Sequence, residues 1–294
     1  MTEVRTPNVI CFGEALWDCL PEGRHVGGAP LNVAYHLSRL GCSAWPVSSV
    51  GDDSTGRELL EQLQDRGLPT ELIGTRTDKR TGLVNVSLDH GIPTFDVVED
   101  VAWDYIDLPD GFPGSSQPID AVVYGSLAQR AAHNRETLRR LFDATPEALR
   151  VFDVNLRPPF DAPARIWALA HEASLIKLND EEAAILLGPG SPSGNFEASA
   201  RALRKQTGCD RICITAGSAG AGLLYLDAWH WVDAVPVRVR DTVGAGDAFL
   251  AALTQGLLVS PERPEAALHR AVILASFVAG SDGATPHYKS DDLF

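Results

Sequence analysis

The sequence predicts an α/β chain: a mainly parallel sheet with helices on both faces and a small β appendage. Three observations predict it. Short apolar runs that end in turn residues alternate with helix-length amphipathic segments, the pattern of repeated βαβ units. One internal segment breaks that alternation by joining two β-rich runs with no helix between them. The chain has 294 residues, 45% of them hydrophobic, which is enough apolar material for one large core.

The predicted core strands are 9–12, 121–124, 151–154, 175–178 and 212–215. Between 31 and 40, Val33, Ala34, Leu37 and Leu40 recur at helical spacing, with Pro30 tolerated at the start and Gly41 suited to the C-terminal cap. A second helix is expected from Ser54, read as its N-cap, through Leu59, Leu60 and Leu63 to Gly67. The segment TGLVNVSLDHGIPTFDVVE (81–99) reads as a hairpin turning at DHGIP. Together with a polar strand over 17–24 it would stand off the main sheet, so that about 17–26 and 81–99 form a lid over the ligand-binding edge. GPGSPSG (188–194) reads as a long loop, and no fixed-period repeat or linker divides what is read as one domain, 1–294.

The net charge of −14 leaves the surface without the broad positive field that nucleic acid or an anionic membrane would attract. Neither is expected as a partner. The five cysteines, Cys11, Cys19, Cys42, Cys209 and Cys213, have no CxxC spacing, and the eight histidines form no pair at metal-ligand spacing. Reduced thiols, the lack of a long apolar run and the strand-like start at MTEVRTPNVICFGEAL point to a cytoplasmic protein.

The chemistry is concentrated in DTVGAGDAF (241–249). From Ala245 onward, Ala248, Leu250, Ala251 and Leu253 have helical spacing, so the glycines lie at a helix N-terminus. Free amides of Ala245, Gly246 and Asp247 can there converge on an anion, helped by the helix dipole. A carboxylate at the same spot would repel a phosphate unless its task is to take a proton from an attacking hydroxyl. A Walker A loop is excluded because Gly217–Gly222 is followed by Leu223 and Leu224, and a dinucleotide fingerprint because Phe249 stands at its third position. The motif alone also fits a tight turn into a packed helix capped by Asp247.

GGAPLNVAYHLSRLG (27–41), VGDDSTG (50–56) and, roughly 200 residues later, DTVGAGDAF occur in that order. On these signatures the chain resembles the ribokinase-like (PfkB) carbohydrate kinases over almost its whole length. The resemblance implies a ribokinase-like doubly wound fold with a small β-sheet lid. It also implies transfer of the γ-phosphate of ATP, bound with Mg²⁺, to the primary hydroxyl of a sugar.

By this resemblance Asp247 is the catalytic base, and Gly244, Ala245 and Gly246 belong to the anion hole. Asp18, in GEALWDCLP, holds sugar hydroxyls, since a carboxylate accepts two or more O–H bonds; without the family it also reads as an exposed turn residue. Gly28 and Asn32 approach the sugar, Asn32 alone reading equally as a helix cap. In FDVNLRPPF, Asp153, Asn155 and Arg157 lie at the carboxyl end of a strand, the edge where open α/β sheets bind ligands. Asn155 and Arg157 are assigned to the nucleotide, Arg157 stabilising phosphate charge or, in the plainer reading, forming a surface ion pair. In KLNDEEAAIL, Asn179 and Glu182 match an N-x-x-E pattern whose carboxylate orients Mg²⁺ through water; the same cluster also reads as a negative first helical turn. Thr215, Gly217 and Gly220, in ITAGSAGAG, match the nucleotide-side turn and read equally as a hairpin. Asp241 matches a K⁺ position completed by carbonyls of 280–284.

GGAPLNVA, FGEALWDCLP and VYGSLAQR (123–130) are more similar to bacterial fructokinases than to ribokinases, which makes fructose the expected acceptor. A 2-keto-3-deoxygluconate kinase is the nearest alternative, but that acid needs a cation and the segment 81–99 has no Lys or Arg. Trp17, beside Asp18, is expected to narrow the sugar pocket. A sugar- or nucleotide-sensing module on the same fold is the non-enzymatic alternative. A homodimer through the lid would cover its exposed strand edges.

Overall fold

Strand β1 (Asn8–Phe12) is buried at every residue, because it lies between two parallel neighbours, β4 (Ser43–Gly51) and β8 (Ala121–Gly125). The computed structural model describes residues 5–294 except 21–22, 90–91, 110–111, 113–117 and 193. From β8 the sheet continues in parallel through β9 (Leu149–Asp153), β10 (Leu175–Asn179) and β11 (Arg211–Thr215). It ends in two antiparallel strands, β12 (Ala221–Tyr225) and β13 (Ala228–Val232); at the other edge β5 (Ile73–Arg76) pairs with β4. The order is β13-β12-β11-β10-β9-β8-β1-β4-β5.

Strand alternation divides the apolar residues between two cores. Val9, Cys11, Val123 and Val151 face helices α1 (Ala29–Arg39), α7 (Ala245–Val259) and α8 (Pro264–Ala279). Ile10, Phe12, Val122 and Phe152 face α3 (Ala132–Ala144), α4 (Pro163–His171) and α6 (Phe196–Thr207). At ~1.5–3 kcal/mol per buried large side chain, this two-faced burial explains why the core strands read as unbroken apolar runs.

The segment 81–99 does form the expected hairpin, β6 (Gly82–Asp89) against β7 (Ile92–Val97), although the turn at 90–91 lies outside the described residues. The single polar strand expected over 17–24 is two strands, β2 (Leu16–Leu20) and β3 (Gly23–Gly27). Together they make a second sheet, β3-β2-β6-β7, in which β2 runs parallel to β6. Leu16, Val84, Val97, Val101, Trp103 and Leu127 form a small core where this sheet meets the large one.

Helix α2 (Ser54–Asp65) is capped by Asp53, not Ser54: the Asp53 carboxylate accepts the Gly56 amide at 2.7 Å and the Thr81 amide at 2.9 Å. Asp53 won because it can also tie α2 to the start of β6. Trp17 also differs from expectation. Its indole is fully buried in the large core and donates to the Thr55 carbonyl at 3.0 Å, so pleating puts it on the opposite face of β2 from Asp18.

Candidate active site

The turn into α7 is built around Gly244, whose φ of +77° only glycine adopts freely and where a Cβ would run into Ala284. The Ala248 amide bonds the Gly244 carbonyl at 2.9 Å, and the Ala245 amide is already used by Thr242 at 3.3 Å. Among the described residues the Gly246 and Asp247 amides have no backbone partner. The expected three-amide cradle is therefore a two-amide one.

Asp247 is 9% exposed, makes no cap bond, and has no cation within 4.0 Å among the described residues. Its Oδ2 accepts a hydrogen bond from Asn32 Nδ2 at 2.8 Å. Burial pushes its carboxyl up to about 6, with Asp153 adding to the rise, while Asn32, Lys177 and Arg157 pull it down.

Asn32 reaches Asp247 from the first turn of α1. It is not the cap, a position taken by Gly28 at φ +116°, where a Cβ would overlap the Glu14 carbonyl. The neighbouring Gly27 leaves room for the Asp18 carboxylate, which a Cβ would overlap in turn. Burial pushes Asp18 up to about 6 against the pull of Arg157 and His25.

Parallel register aligns the carboxyl ends of β9, β10 and β11, bringing Asp153, Asn179 and Thr215 to one edge. Beside Asp153 in register stands Lys177, whose Nζ lies 3.0 Å from Asp153 Oδ1. A Cβ on Gly246 would be 3.1 Å from that Nζ, so a buried ammonium lies against the helix mouth. Burial works against the Lys177 charge, but Asp153, Glu182 and Asp247 outweigh it and raise its pKa.

Sequence reasoning missed Lys177 and Glu14. A lysine inside the apolar run LIKLN was the available signal. Glu14 is 4% exposed and sits just after β1; burial pushes its carboxyl up to about 7 despite Arg157. Arg157 is exposed and donates to the Leu156 carbonyl at 3.0 Å. No carboxylate lies within 4.0 Å of it among the described residues, so the surface ion pair is not found, yet its charge reaches Glu14, Asp18 and Asp247. Asn155, at φ +38°, shares a small cavity with Glu14 and Asp153.

Asn179 and Glu182 close a reciprocal cap on α5 (Asp180–Leu187): Asn179 Oδ1 accepts the Glu182 amide at 2.7 Å and Glu182 Oε2 accepts the Asn179 amide at 2.8 Å. Glu182 Oε1 accepts the Leu156 amide at 2.8 Å, so each carboxylate oxygen keeps one lone pair for water. That fits an indirect Mg²⁺ contact rather than direct ligation, and no group of three or more His, Cys, Asp or Glu is placed to hold a metal among the described residues. Gly220, at φ +125°, is required by its closeness to the Val232 carbonyl in the β12–β13 hairpin, whereas Gly217, at φ +51°, faces open space. Asp241 Oδ1 accepts the Val243 amide at 2.9 Å. The Asp241 amide bonds the Ala279 carbonyl at 3.3 Å, one residue before the expected segment 280–284, and the Ala284 carbonyl of that segment already lies 3.0 Å from His36 Nε2. Two free amides, an unpaired arginine and a buried ammonium form a donor set that fits a polyphosphate.

Comparison with known proteins gives four findings. The model of the pfkB family carbohydrate kinases matches residues 22–290. A fructokinase of Klebsiella pneumoniae is 31% identical over 264 residues, 84% of this chain and 83% of the relative. An aminoimidazole riboside kinase of Salmonella typhimurium is 30% identical over 261 residues, 83% and 79%. In structure, an ATP-bound fructokinase from Xylella fastidiosa has a TM-score of 0.82 at 24% identity, covering 95% of this chain and 94% of that one, which shows the shared fold. No helix among the described residues is long and apolar enough to cross a membrane. A family model that spans most of the chain, joined by a likeness to a fructokinase over more than four fifths of both chains, shows that this chain belongs to the pfkB family of carbohydrate kinases, phosphotransferases acting on an alcohol group.

Proposed function

We propose that this kinase transfers the γ-phosphate of ATP to a primary hydroxyl of a neutral sugar, with fructose the favoured acceptor. The observation that carries the reading is Asp247: a buried carboxylate without a salt bridge among the described residues, held by Asn32 at the mouth of a helix where the Gly246 and Asp247 amides have no backbone partner among those residues. Ionised, it takes the hydroxyl proton as the sugar oxygen bonds to the γ-phosphorus; the bond to the bridging oxygen breaks and its electron pair leaves on ADP. The Gly246 and Asp247 amides and Arg157 stabilise the charge on the transferring group, with Gly244 and Ala245 shaping the turn.

Asp18, Asn32 and the Gly28 backbone orient the sugar. Asn155, Asn179, Thr215, Gly217 and Gly220 line the nucleotide side. Mg²⁺ neutralises phosphate charge when bound, and Glu182 would hold it through water; Asp241 would serve K⁺. The small sheet acts as the lid of a single kinase domain, excludes water and pairs with a second copy in a cytoplasmic homodimer. Three acidic side chains gathered here, Glu14, Asp18 and Asp247, would repel the carboxylate of a sugar acid when ionised and so favour a neutral acceptor.

A coupled ADP-release assay with fructose, ribose, 2-keto-3-deoxygluconate and aminoimidazole riboside tests this. Fructose should give the highest kcat/KM. D247N should lower kcat by about 10²–10⁴ with little change in KM. Transfer to none of them, while a sugar still raises Tm, would leave the sensing module as the better reading.

A further inference from the structure

Glu14 and Asp153 line one cavity of about 10 Å³, with Ser126 and Asn155 beside them and Tyr124 and Leu250 at its apolar wall. Both side chains belong to residues 4% exposed, and each keeps one oxygen, Glu14 Oε2 and Asp153 Oδ2, without a hydrogen-bond partner among the described residues. The other Asp153 oxygen is satisfied by Lys177 at 3.0 Å. A buried acceptor left alone costs on the order of 1–3 kcal/mol, more when charged, so two in one small space call for a shared partner. The volume is close to what one oxygen-sized group needs, roughly 10–15 Å³.

We infer that this cavity is a hydroxyl subsite, in which a single O–H oxygen bridges Glu14 Oε2 and Asp153 Oδ2 at the floor of the acceptor site. The inference rests on the kinase reading. A water there donates one proton to each carboxylate. A sugar hydroxyl has only one proton to give, to Asp153, and its oxygen then accepts from Glu14 in protonated form. Burial, which favours the protonated form of Glu14 near neutral pH, makes this second arrangement available. Glu14 thus becomes a specificity-determining residue reading a hydroxyl other than the one phosphorylated, beside Asp247, which handles the reacting one.

The test is a pair of crystal structures of the full chain, alone and with D-fructose, beside kinetics of E14M, which keeps the length of the side chain but can neither donate nor accept, on fructose and its monodeoxy analogues. One ordered oxygen within about 3.2 Å of both carboxyl groups is expected, a water in the protein alone and a fructose hydroxyl in the sugar complex. E14M then raises KM for fructose about tenfold, and the analogue lacking that hydroxyl has the same KM in E14M and wild type. E14Q, whose amide can still donate to the hydroxyl, stays closer to wild type than E14M. A water retained there in the sugar complex, no oxygen there in either structure, or E14M kinetics equal to wild type with every analogue, overturns the inference. Failure of the wild type to phosphorylate any sugar would instead remove the kinase reading, while the bridging oxygen in the structure of the protein alone would stand.

Discussion

Two buried ion pairs, Arg130–Asp104 beside the small sheet and Lys177–Asp153 at the carboxyl edge of the large one, differ in how fully their atoms are used. Arg130 meets Asp104 through two contacts, Nε to Oδ1 at 2.7 Å and Nη2 to Oδ2 at 2.8 Å. Nη2 also donates to the Val98 carbonyl at 2.6 Å, and Asp104 Oδ2 accepts the Val101 amide at 3.1 Å. The guanidinium lies between the rings of Trp103 and Phe160, at 4.0 and 4.6 Å, with only Nη1 unpartnered. Lys177 meets Asp153 through one contact, leaves Asp153 Oδ2 free, and extends its field to Asp247 and Glu182. The closed pair fixes structure, whereas the open pair keeps capacity for a substrate.

The largest expected effect breaks the closed pair. R130A leaves Asp104 buried without its cation and removes the clip between the base of the small sheet and the loop after β8, which should cost about 3–5 kcal/mol of stability. Urea unfolding followed by tryptophan fluorescence reads this, and kcat of the folded enzyme at low temperature should stay within about twofold. A large fall in kcat at unchanged stability would mean that the closed pair also serves the site.

That contrast also explains what was legible in the sequence. The parallel strands were, because two-sided burial writes continuous apolar runs, and so was the α7 mouth, because Gly244 needs its φ and cannot carry a side chain against Ala284. Asn32 was found only as a family position; its bond to Asp247 spans 215 residues of sequence, a distance no local pattern encodes. Glu14 stayed hidden because nothing in a charged residue's letter tells whether it will be buried, whereas Lys177 carried one overlooked sign, its place inside the apolar run LIKLN. β13 was missed for a related reason. The edge strand AWHWV is only partly buried, so its alternation is weak.

A smaller effect sharpens the comparison through proton equilibria. In the wild type kcat/KM should fall as pH drops through about 6, because Asp247, as the proposed base, must be ionised to accept a proton and Asp18 titrates in the same range. Asp153 is the largest charge raising Asp247, so D153N should move the acid limb to lower pH. The matching change at the closed pair, D104N, should leave the limb in place while lowering stability. Equal limbs in all three proteins would mean that Asp153 and Asp247 do not sense one another.

The smallest effect separates neighbours on a single strand. Trp17 and Asp18 are adjacent in β2, yet the indole is fully buried in the large core, bonded to Thr55, with Arg24 5.1 Å from its ring, while Asp18 sits over Gly27. W17F loses one hydrogen bond and some packing volume, a cost of about 1–2 kcal/mol, and should leave KM for the sugar within about twofold of wild type. Thermal unfolding and fructose kinetics on one preparation measure both quantities. A severalfold change in KM with unchanged Tm would put Trp17 in the pocket and reverse the two faces of β2, and with them the placement of Asp18 at the sugar.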